Sequence, residues 1–411
     1  MSNTSRFYAL NQAMLQQTMN LPPYLHPAAG PISGETKAVF FLAVPPPWGP
    51  LAAAELHEKL AALDFSINAP VEVLAGGLTV HLPLAQGLLL NHYLKIPSRL
   101  LLRLAQFRCR DFPTLYKKAA KIFWGQYINA VSAVEFSAHH SRLIDARKAR
   151  KAVTEAVQAS FKARPPKKNA AAGMIFVRLQ DDQAEISLDT SGERLDRRAY
   201  RVQVGRAPLR ENLAAAMLYF LKQNFPAIMA QTPTLFAPMC GAGTFITEAQ
   251  SFYHPLPRPY AYQNWGCRPR LNIAPDRRPL ALPALFASPM YGLDWDAQVL
   301  AAAQHNEQTL AQQLGEKLSA TWICGDIFSA AKAFPLPLVM VLNPPYGRRL
   351  PLATDPATYF PQLYQTLWKN FRPNLLAMLL PPFVLKYLPA PTTAQQNFNG
   401  GQKTIFACWA K

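Results

Sequence analysis

A run of five apolar residues, Leu338 to Leu342, stops at the sequence Asn343-Pro344-Pro345-Tyr346, and this stop strongly constrains the fold. A short apolar run bounded by turn residues is typical of a fully buried strand. Proline removes a backbone donor and fixes its own φ angle, so the strand is predicted to end in a rigid, exposed edge. That edge presents an amide oxygen, a carbonyl held by the prolines and an aromatic ring.

These three groups suit the recognition of a planar base that carries an exocyclic amino group. The amide and carbonyl oxygens can accept the two amino hydrogens, and the ring can stack on the base. Accepting these hydrogens makes the nitrogen a better nucleophile towards a methyl group. Asn343, Pro344, Pro345 and Tyr346 are therefore the candidate catalytic residues. The alternative is a plain Pro-Pro loop after a strand.

Three other predicted strand ends lie upstream and carry polar or glycine residues. A short apolar strand runs into a turn that contains Gly241 and Gly243 and then into a helix, and two later strands are predicted to end on Asp294 and Asp326. Glycines let a backbone approach a ligand closely, and a carboxylate can accept the hydroxyls of a ribose. In an open α/β sheet, ligands bind outside the carboxyl ends of the strands, so all four ends are predicted to share one cleft.

With these motifs the chain resembles the THUMP-domain RNA methyltransferases, in particular those that make N2-methylguanine in bacterial 23S ribosomal RNA. Leu188 to Glu193 and Arg201 to Met217 resemble the opening of the methyltransferase half of that group. Gln396 to Gly400 resembles its closing hairpin. The likeness runs from about Val39 to the end of the chain and is strongest from Leu188 to Arg349.

The resemblance implies the cofactor S-adenosylmethionine, with S-adenosylhomocysteine as the product and no metal. Gly241 and Gly243 would lie under its methionine end, Asp294 would hold the ribose, and Asp326 would bind the adenine amino group. The implied cofactor-binding residues are Pro238, Cys240, Gly241, Gly243, Thr244, Asp294, Asp326 and Asn343. The chain departs from the group at Ala237, where relatives usually have an acid that is expected to help hold the cofactor ammonium. Whether Glu248 replaces that acid is open at this stage.

The charge distribution indicates a polyanionic partner. The formal net charge is +18, and Lys95 to Lys168 contains seventeen Lys and Arg against four Asp and Glu. Aromatic residues such as Trp124 and Tyr127 lie between these cations. Cations that grip phosphates and rings that stack on unpaired bases predict RNA contact. The candidate RNA-binding residues are Arg99, Arg103, Arg108, Arg110, Lys117, Lys118, Lys121, Arg142, Arg147 and Lys148.

The resemblance makes 23S rRNA or a ribosome-assembly intermediate the expected RNA partner, with no obligate protein partner evident. Five scattered cysteines predict neither a zinc site nor a disulfide framework. Cys240 is expected to pack as a small residue. The sequence contains no secretory signal and no run of 18 apolar residues that could span a membrane, which favours a cytoplasmic protein.

The predicted architecture is a Rossmann-like class I methyltransferase domain, a doubly wound α/β sheet, preceded by an α+β ferredoxin-like and THUMP RNA-binding domain. Residues 1–36 are predicted to form an extension, 37–192 the RNA-binding domain and 193–411 the methyltransferase domain. Helices are predicted over Leu51 to Leu63, Pro113 to Ala130 and Arg142 to Phe161.

Two alternative functions stay open. The Asn-Pro-Pro-Tyr motif suits adenine N6 as well as guanine N2, so the target could be adenine in DNA or RNA, and an RNA substrate could be tRNA. A chain that lacks the acid at position 237 could also be a catalytically degenerate RNA-binding or ribosome-assembly factor.

Overall fold

Two sheets organise the protein in a computed structural model that describes residues 24–25, 32–65, 70–74, 76–201, 209–271, 273, 278–346, 354–399 and 401–411. One compact unit comprises Met1–Val44, Asp64–Leu195 and Arg258–Pro275, and the other comprises Pro45–Leu63, Asp196–Pro257 and Asp276–Lys411. Among the described residues, no helix is both long and apolar enough to cross a membrane.

The described part of the first unit forms an eight-stranded mixed sheet. Its strands are β1 (Tyr24–Leu25), β2 (Lys37–Ala43), β3 (Glu72–Leu74), β4 (Gly77–Pro83), β5 (Arg99–Arg108), β6 (Ala130–His139), β7 (Ala172–Gln180) and β8 (Gln183–Asp189). The order is β3-β4-β2-β5-β8-β7-β6, with β1 paired to β5. Only the β6–β7 pair is parallel among these described strands.

Two of the three helices of the first unit described next begin at side-chain caps that the sequence supplies. The sheet is accompanied by α2 (Leu84–Tyr93), α3 (Phe112–Ala120) and α4 (Ala146–Ala163). Asp111 caps α3 by accepting from Thr114 N at 2.6 Å, and Asp145 caps α4 by accepting from Lys148 N at 3.0 Å. Such caps satisfy amides that lack partners in the first turn.

Two predicted helices of this unit were too long. The α3 helix ends at Ala120 and a short 3-10 turn, Trp124–Gln126, precedes β6, so the helix predicted over Pro113 to Ala130 was wrong in its second half. Helix α4, capped by Asp145, begins at Ala146, four residues after its predicted first residue, Arg142. Of the extension predicted over residues 1–36, most lies outside the described residues.

The second unit contains a seven-stranded sheet among its described residues, in the order β11-β10-β9-β12-β13-β15-β14. The strands are β9 (Thr234–Pro238), β10 (Ala287–Asp294), β11 (Ala320–Cys324), β12 (Leu338–Leu342), β13 (Leu375–Leu380), β14 (Thr393–Asn399) and β15 (Gln402–Ala410). The five strands from β9 to β13 run parallel, and β15 pairs antiparallel with β13 and β14. This is the doubly wound sheet predicted from the sequence.

Helices complete the second unit, in which the three central strands are fully buried. They are α1 (Gly49–Ala62), α5 (Glu211–Asn224), α6 (Pro226–Met229), α7 (Thr244–Ser251), α8 (Ala297–Leu314) and α9 (Pro356–Phe371). Every residue of β9, β12 and β13 is buried, as expected for parallel strands covered on both faces. The chain leaves β9 towards β10 on one side and returns to β12 on the other, and a crevice is expected at this switch point.

Helix α1 precedes β3 in the sequence, yet it belongs to the second unit. Its Lys59, which is fully buried, donates to Glu55 Oε1 at 2.7 Å and to the carbonyl oxygen of Phe252 at 3.0 Å. Burial lowers the pKa of Lys59, and Glu55 opposes that change. The predicted boundaries placed this segment in the first domain, so the compact units differ from them here, and the domain boundaries stay a prediction.

Candidate active site

The glycine turn after β9 has the backbone that its sequence predicts. Gly241 and Gly243 have φ angles of +56° and +80°, and Met239 adopts +53°. A Cβ on Gly243 would lie 2.7 Å from Cη2 of Trp322, so no larger residue fits there. A Cβ on Gly241 would meet no heavy atom of the described residues within 4 Å. Glycine at position 241 therefore serves the left-handed backbone and leaves its face open to a ligand.

Asp294 ends β10 and is tied directly to this turn. Its Oδ2 accepts from Gly241 N at 2.9 Å, and its Oδ1 accepts from Asp296 N at 3.1 Å. The side chain is buried, and burial raises the pKa of Asp294 while the two amides oppose the rise. The structure thus brings together the predicted Asp294 and Gly241 at adjacent strand ends.

The other residues predicted to bind the cofactor lie on the same stretch of chain or at the edge of the sheet. Pro238 ends β9 and is buried, and Thr244 is the first residue of α7. Burial raises the pKa of the Cys240 thiol well above its usual range, which agrees with packing and disfavours a nucleophilic role. Asp326 is exposed and lies two residues beyond the end of β11, whereas the sequence predicted it at the strand end itself.

Asn343 follows β12 at the same edge of the sheet. Its Oδ1 is buried and has no hydrogen-bond partner among the described residues. Pro344 is buried and Pro345 is half-buried. An unpaired buried acceptor costs about 1–3 kcal/mol, so the site favours a ligand that brings a donor to this atom.

Tyr346 is half-buried and packs against the core beside β12. Its hydroxyl accepts a hydrogen bond from Asn399 Nδ2 at 3.3 Å. Asn399 ends β14, so the closing hairpin reaches the predicted base-binding motif. Sequence reasoning had noted this hairpin only as part of a resemblance. Residues 347–353, which follow Tyr346, lie outside the described residues.

The β9–β12 register places these strand ends next to each other. Phe236 pairs with Met340, so the glycine turn and Asn343 follow neighbouring parallel strands at nearly the same level. The arrangement combines an open backbone turn, a buried carboxylate and an unpaired amide acceptor.

Comparison with known proteins matches two regions of the chain to described families. Residues 198–382 match the UPF0020 family, described as an RMKL-like methyltransferase domain, and residues 109–189 match the THUMP domain. The chain carries a THUMP domain followed by an RMKL-like methyltransferase domain. This confirms the predicted order of the two domains.

One curated relative is the ribosomal RNA large subunit methyltransferase K/L of Pseudomonas entomophila, which is 29% identical over 300 residues. The match covers 68% of this chain and 39% of that protein, so the chain spans about two-fifths of the relative's length.

Two solved structures share the fold over 91% of this chain. One is SMU.472 complexed with SAH, with a TM-score of 0.70, 20% identity and 98% of its chain covered. The other is from Listeria monocytogenes and is described as a predicted N6-adenine-specific DNA methylase; its TM-score is 0.67, its identity 20% and its coverage 96%.

The methyltransferase domain does not use Glu248 as a replacement for the acid missing at Ala237. Glu248 is fully buried on α7, where its Oε2 accepts from Arg198 Nη2 at 3.1 Å and its Oε1 accepts from Tyr200 OH at 2.5 Å. Burial of the charge is offset by this pairing with Arg198. Glu248 therefore holds α7 in place, and its carboxylate is already paired with Arg198.

The basic region of the first unit divides into buried, paired and exposed cations. Arg103 is only 2% exposed and donates to Glu185 Oε1 at 2.6 Å, so its prediction as an RNA-binding residue was wrong. Arg99 donates to Asp189 at 2.7 Å and is half-buried, and Arg110 donates to Asp182 at 2.9 Å. The remaining candidates are exposed: Arg108, Lys117, Lys118, Lys121, Arg142, Arg147 and Lys148.

Two of the aromatic residues among these cations belong to the core. Trp124 is buried and donates from Nε1 to the carbonyl oxygen of Ala119 at 2.9 Å. Tyr127 is also buried, with its ring 5.2 Å from that of Trp265. These rings are not available to stack on bases, which corrects that expectation.

Proposed function

We propose that the protein is an S-adenosylmethionine-dependent RNA methyltransferase that acts on an exocyclic amino nitrogen, with guanine N2 of 23S rRNA as the favoured target. The observation that carries the proposal is the buried, unpaired Oδ1 of Asn343 at the strand end beside the glycine turn. An exocyclic amine is the kind of donor that this acceptor lacks.

The cofactor fits the residues of the cleft. The open face of Gly241 leaves room for the methionine end, and Asp294 keeps lone pairs for the ribose hydroxyls beyond the two amides it accepts. Asp326, exposed beyond β11, is the residue proposed to bind the adenine amino group. When bound, the cofactor supplies a methyl group on a sulfonium.

The chain's own residues then orient the base and exclude water. Asn343 Oδ1 and the carbonyl oxygen that precedes the prolines accept the amino hydrogens, and Tyr346 stacks on the ring. A base in folded RNA must first be turned out of its stack to reach such a cleft. Positioning of this kind can supply about 7–11 kcal/mol of barrier lowering, so no metal or covalent step is required.

RNA as the partner is supported by the THUMP domain and by the exposed cations on α3 and α4. The relative named above is a ribosomal RNA large subunit methyltransferase, which favours rRNA over tRNA and makes a large-subunit assembly intermediate a suitable substrate form. Action in the cytoplasm is part of this proposal.

Two alternatives rest on particular observations. The fold is shared with a protein described as an N6-adenine-specific methylase, and the Asn-Pro-Pro-Tyr motif suits adenine equally well. A non-catalytic assembly factor is favoured by Ala237 together with the engagement of Glu248 by Arg198.

Nucleoside mass spectrometry separates these functions. A strain that lacks the gene should lose N2-methylguanosine from 23S rRNA and regain it with the wild-type gene, whereas the Asn343→Ala gene should not restore it. Loss of N6-methyladenosine, or loss from tRNA alone, would select the corresponding alternative. Unchanged nucleosides, together with no calorimetric binding of S-adenosylmethionine at millimolar concentration, would leave the assembly factor.

A further inference from the structure

The closing hairpin and the predicted base-binding motif are joined by one side-chain hydrogen bond. The hairpin consists of β14 and β15, in which Asn399 pairs with Gln402. Strand β13 pairs with β15 up to Leu380 and Ile405, so the tip at 399–402 extends about three residues beyond the carboxyl end of β13. There Asn399 Nδ2 donates to the hydroxyl of Tyr346.

The inner face of the hairpin is itself fixed in position. Asn397 lies two residues before Asn399 on β14, so both side chains point to the same face, and both are buried. Asn397 Oδ1 accepts from Trp48 Nε1 at 3.0 Å. Trp48 is 2% exposed and directly precedes α1, and its ring packs edge-on against Phe220 at 6.2 Å.

The backbone of Tyr346 follows two prolines, and its half-buried ring packs against the core beside β12. A phenol that is only half-buried retains rotational freedom about its side-chain bonds unless its tip is held. The hydrogen bond from Asn399 holds that tip.

We propose that Asn399 is a positioning residue for the reaction, and that it acts by holding the ring of Tyr346 in the orientation that stacks on the target base. This inference rests on the proposed function for its effect on catalysis. It also assigns a role to the upstream segment 45–63, whose Trp48 fixes the strand that carries Asn399.

The test compares Asn399→Ala, Tyr346→Phe and the double variant in the full chain. Each single variant removes the same hydrogen bond while the ring stays, so each should lower kcat for RNA methylation about threefold to tenfold, the range of one neutral hydrogen bond. The double variant should be no slower than the slower single one. The dissociation constant for S-adenosylmethionine should not change. The matched control is Gln396→Ala, an exposed residue of β14, which should keep wild-type kcat.

A readout without catalysis separates this inference from the proposed function. The chain has fifteen tyrosines, and in protein labelled with 3-fluorotyrosine the Tyr346 resonance is the one missing from Tyr346→Phe. Asn399→Ala should shift or broaden that resonance, and Gln396→Ala should not. An unshifted resonance, or additive effects in the double variant, would overturn the positioning role. If the resonance shifts but the wild-type chain methylates no RNA, the contact stands while the proposed function and the catalytic role of Asn399 both fall.

Discussion

The two units place polar residues on their strands in opposite ways. In the second unit, Asp294 and Asn343 stand at or just after strand ends, where Asp294 accepts from the Gly241 amide and Asn343 Oδ1 has no partner among the described residues. In the first unit, Arg103 stands in the middle of β5 and is buried in an ion pair with Glu185. These strand-end groups keep hydrogen-bonding capacity for a ligand, whereas Arg103 in mid-strand is committed to its neighbour across the sheet.

The comparison also separates two kinds of positive charge in the first unit. On β5, Arg99 and Arg103 are paired with carboxylates of β8, whereas the cations on α3 and α4 are exposed. Residue type alone therefore does not define an RNA-binding surface. Whether a cation can reach a phosphate depends on its burial and on the carboxylates beside it, since Arg103 is buried and paired while Arg108 on the same strand is exposed.

The largest effect is expected from Asn343→Ala. Because this substitution removes an acceptor that acts mainly in the transition state, methyl transfer should fall about 100- to 1000-fold, as when one oxyanion-hole donor is lost. Stability should not decrease, since Asn343 Oδ1 has no partner to lose among the described residues. Initial rates and thermal unfolding measure both quantities. Asn169→Ala, an exposed site in the first unit, is the control, and an Asn343→Ala enzyme at the wild-type rate would contradict the amine-binding role.

Arg103→Ala should act on stability instead of on RNA. Removing one partner of a buried ion pair costs about 3–5 kcal/mol because the other charge stays buried, so the unfolding free energy should drop by about this amount. Lys118→Ala, an exposed site, should change it by no more than about 0.5 kcal/mol. Urea unfolding gives both values.

The double variant Arg103→Met with Glu185→Leu should recover most of that loss, because no unpaired charge is left. If Arg103→Ala left stability intact and instead weakened RNA binding, the distinction between mid-strand and helix cations would be wrong.

Much of the second unit could be predicted because its signals are local. The ends of apolar runs mark the strand ends, and glycines mark the turn, so Gly241, Asp294 and Asn343 could be placed on one edge without knowing any long-range contact. Asp326 was placed less well, since β11 ends at Cys324 and the acid lies in the following turn.

The features that could not be predicted depend on partners far apart in the chain. Strand β5 was missed because Arg99, Arg103 and Arg108 interrupt its apolar pattern, and Arg99 and Arg103 are accommodated by Asp189 and Glu185 of β8. The bond between Trp48 and Asn397 joins residues 349 positions apart. No periodicity within a short window reports such pairs.

Exposed lysines of the first unit should set the salt dependence of RNA binding. Changing Lys117, Lys118, Lys121 and Lys148 to Gln removes four exposed cations of α3 and α4 and the residue that follows α3. If each contacts a phosphate, the slope of log affinity against log salt should become shallower by up to about 3, at about 0.7–0.9 per contact.

The matched control makes the same change in charge in the second unit, at the exposed lysines Lys317, Lys369, Lys386 and Lys403. The slope should then hardly change. Filter binding at several salt concentrations measures it, and equal effects of the two quadruple variants would show that net charge, and not the α3–α4 surface, binds RNA.

The smallest effect is expected from the pH dependence of cofactor binding through Asp294. Burial raises the pKa of this carboxyl, although the Gly241 and Asp296 amides oppose the rise. The ionised form is the one that accepts ribose hydroxyls, so affinity for S-adenosylmethionine should fall on acidification, and at a higher pH than for an exposed aspartate.

Asp294→Asn should bind about tenfold more weakly at neutral pH, in line with the roughly 1.5–3 kcal/mol of a hydrogen bond to a charged group. Because Asn does not titrate, this variant should also lose the acid dependence, while Asp64→Asn at an exposed turn should retain both the affinity and its pH profile. Calorimetry from neutral to mildly acidic pH measures the three proteins side by side. An unchanged profile in Asp294→Asn would mean that another group governs cofactor binding, and that this strand end is less open to ligand than the contrast with Arg103 implies.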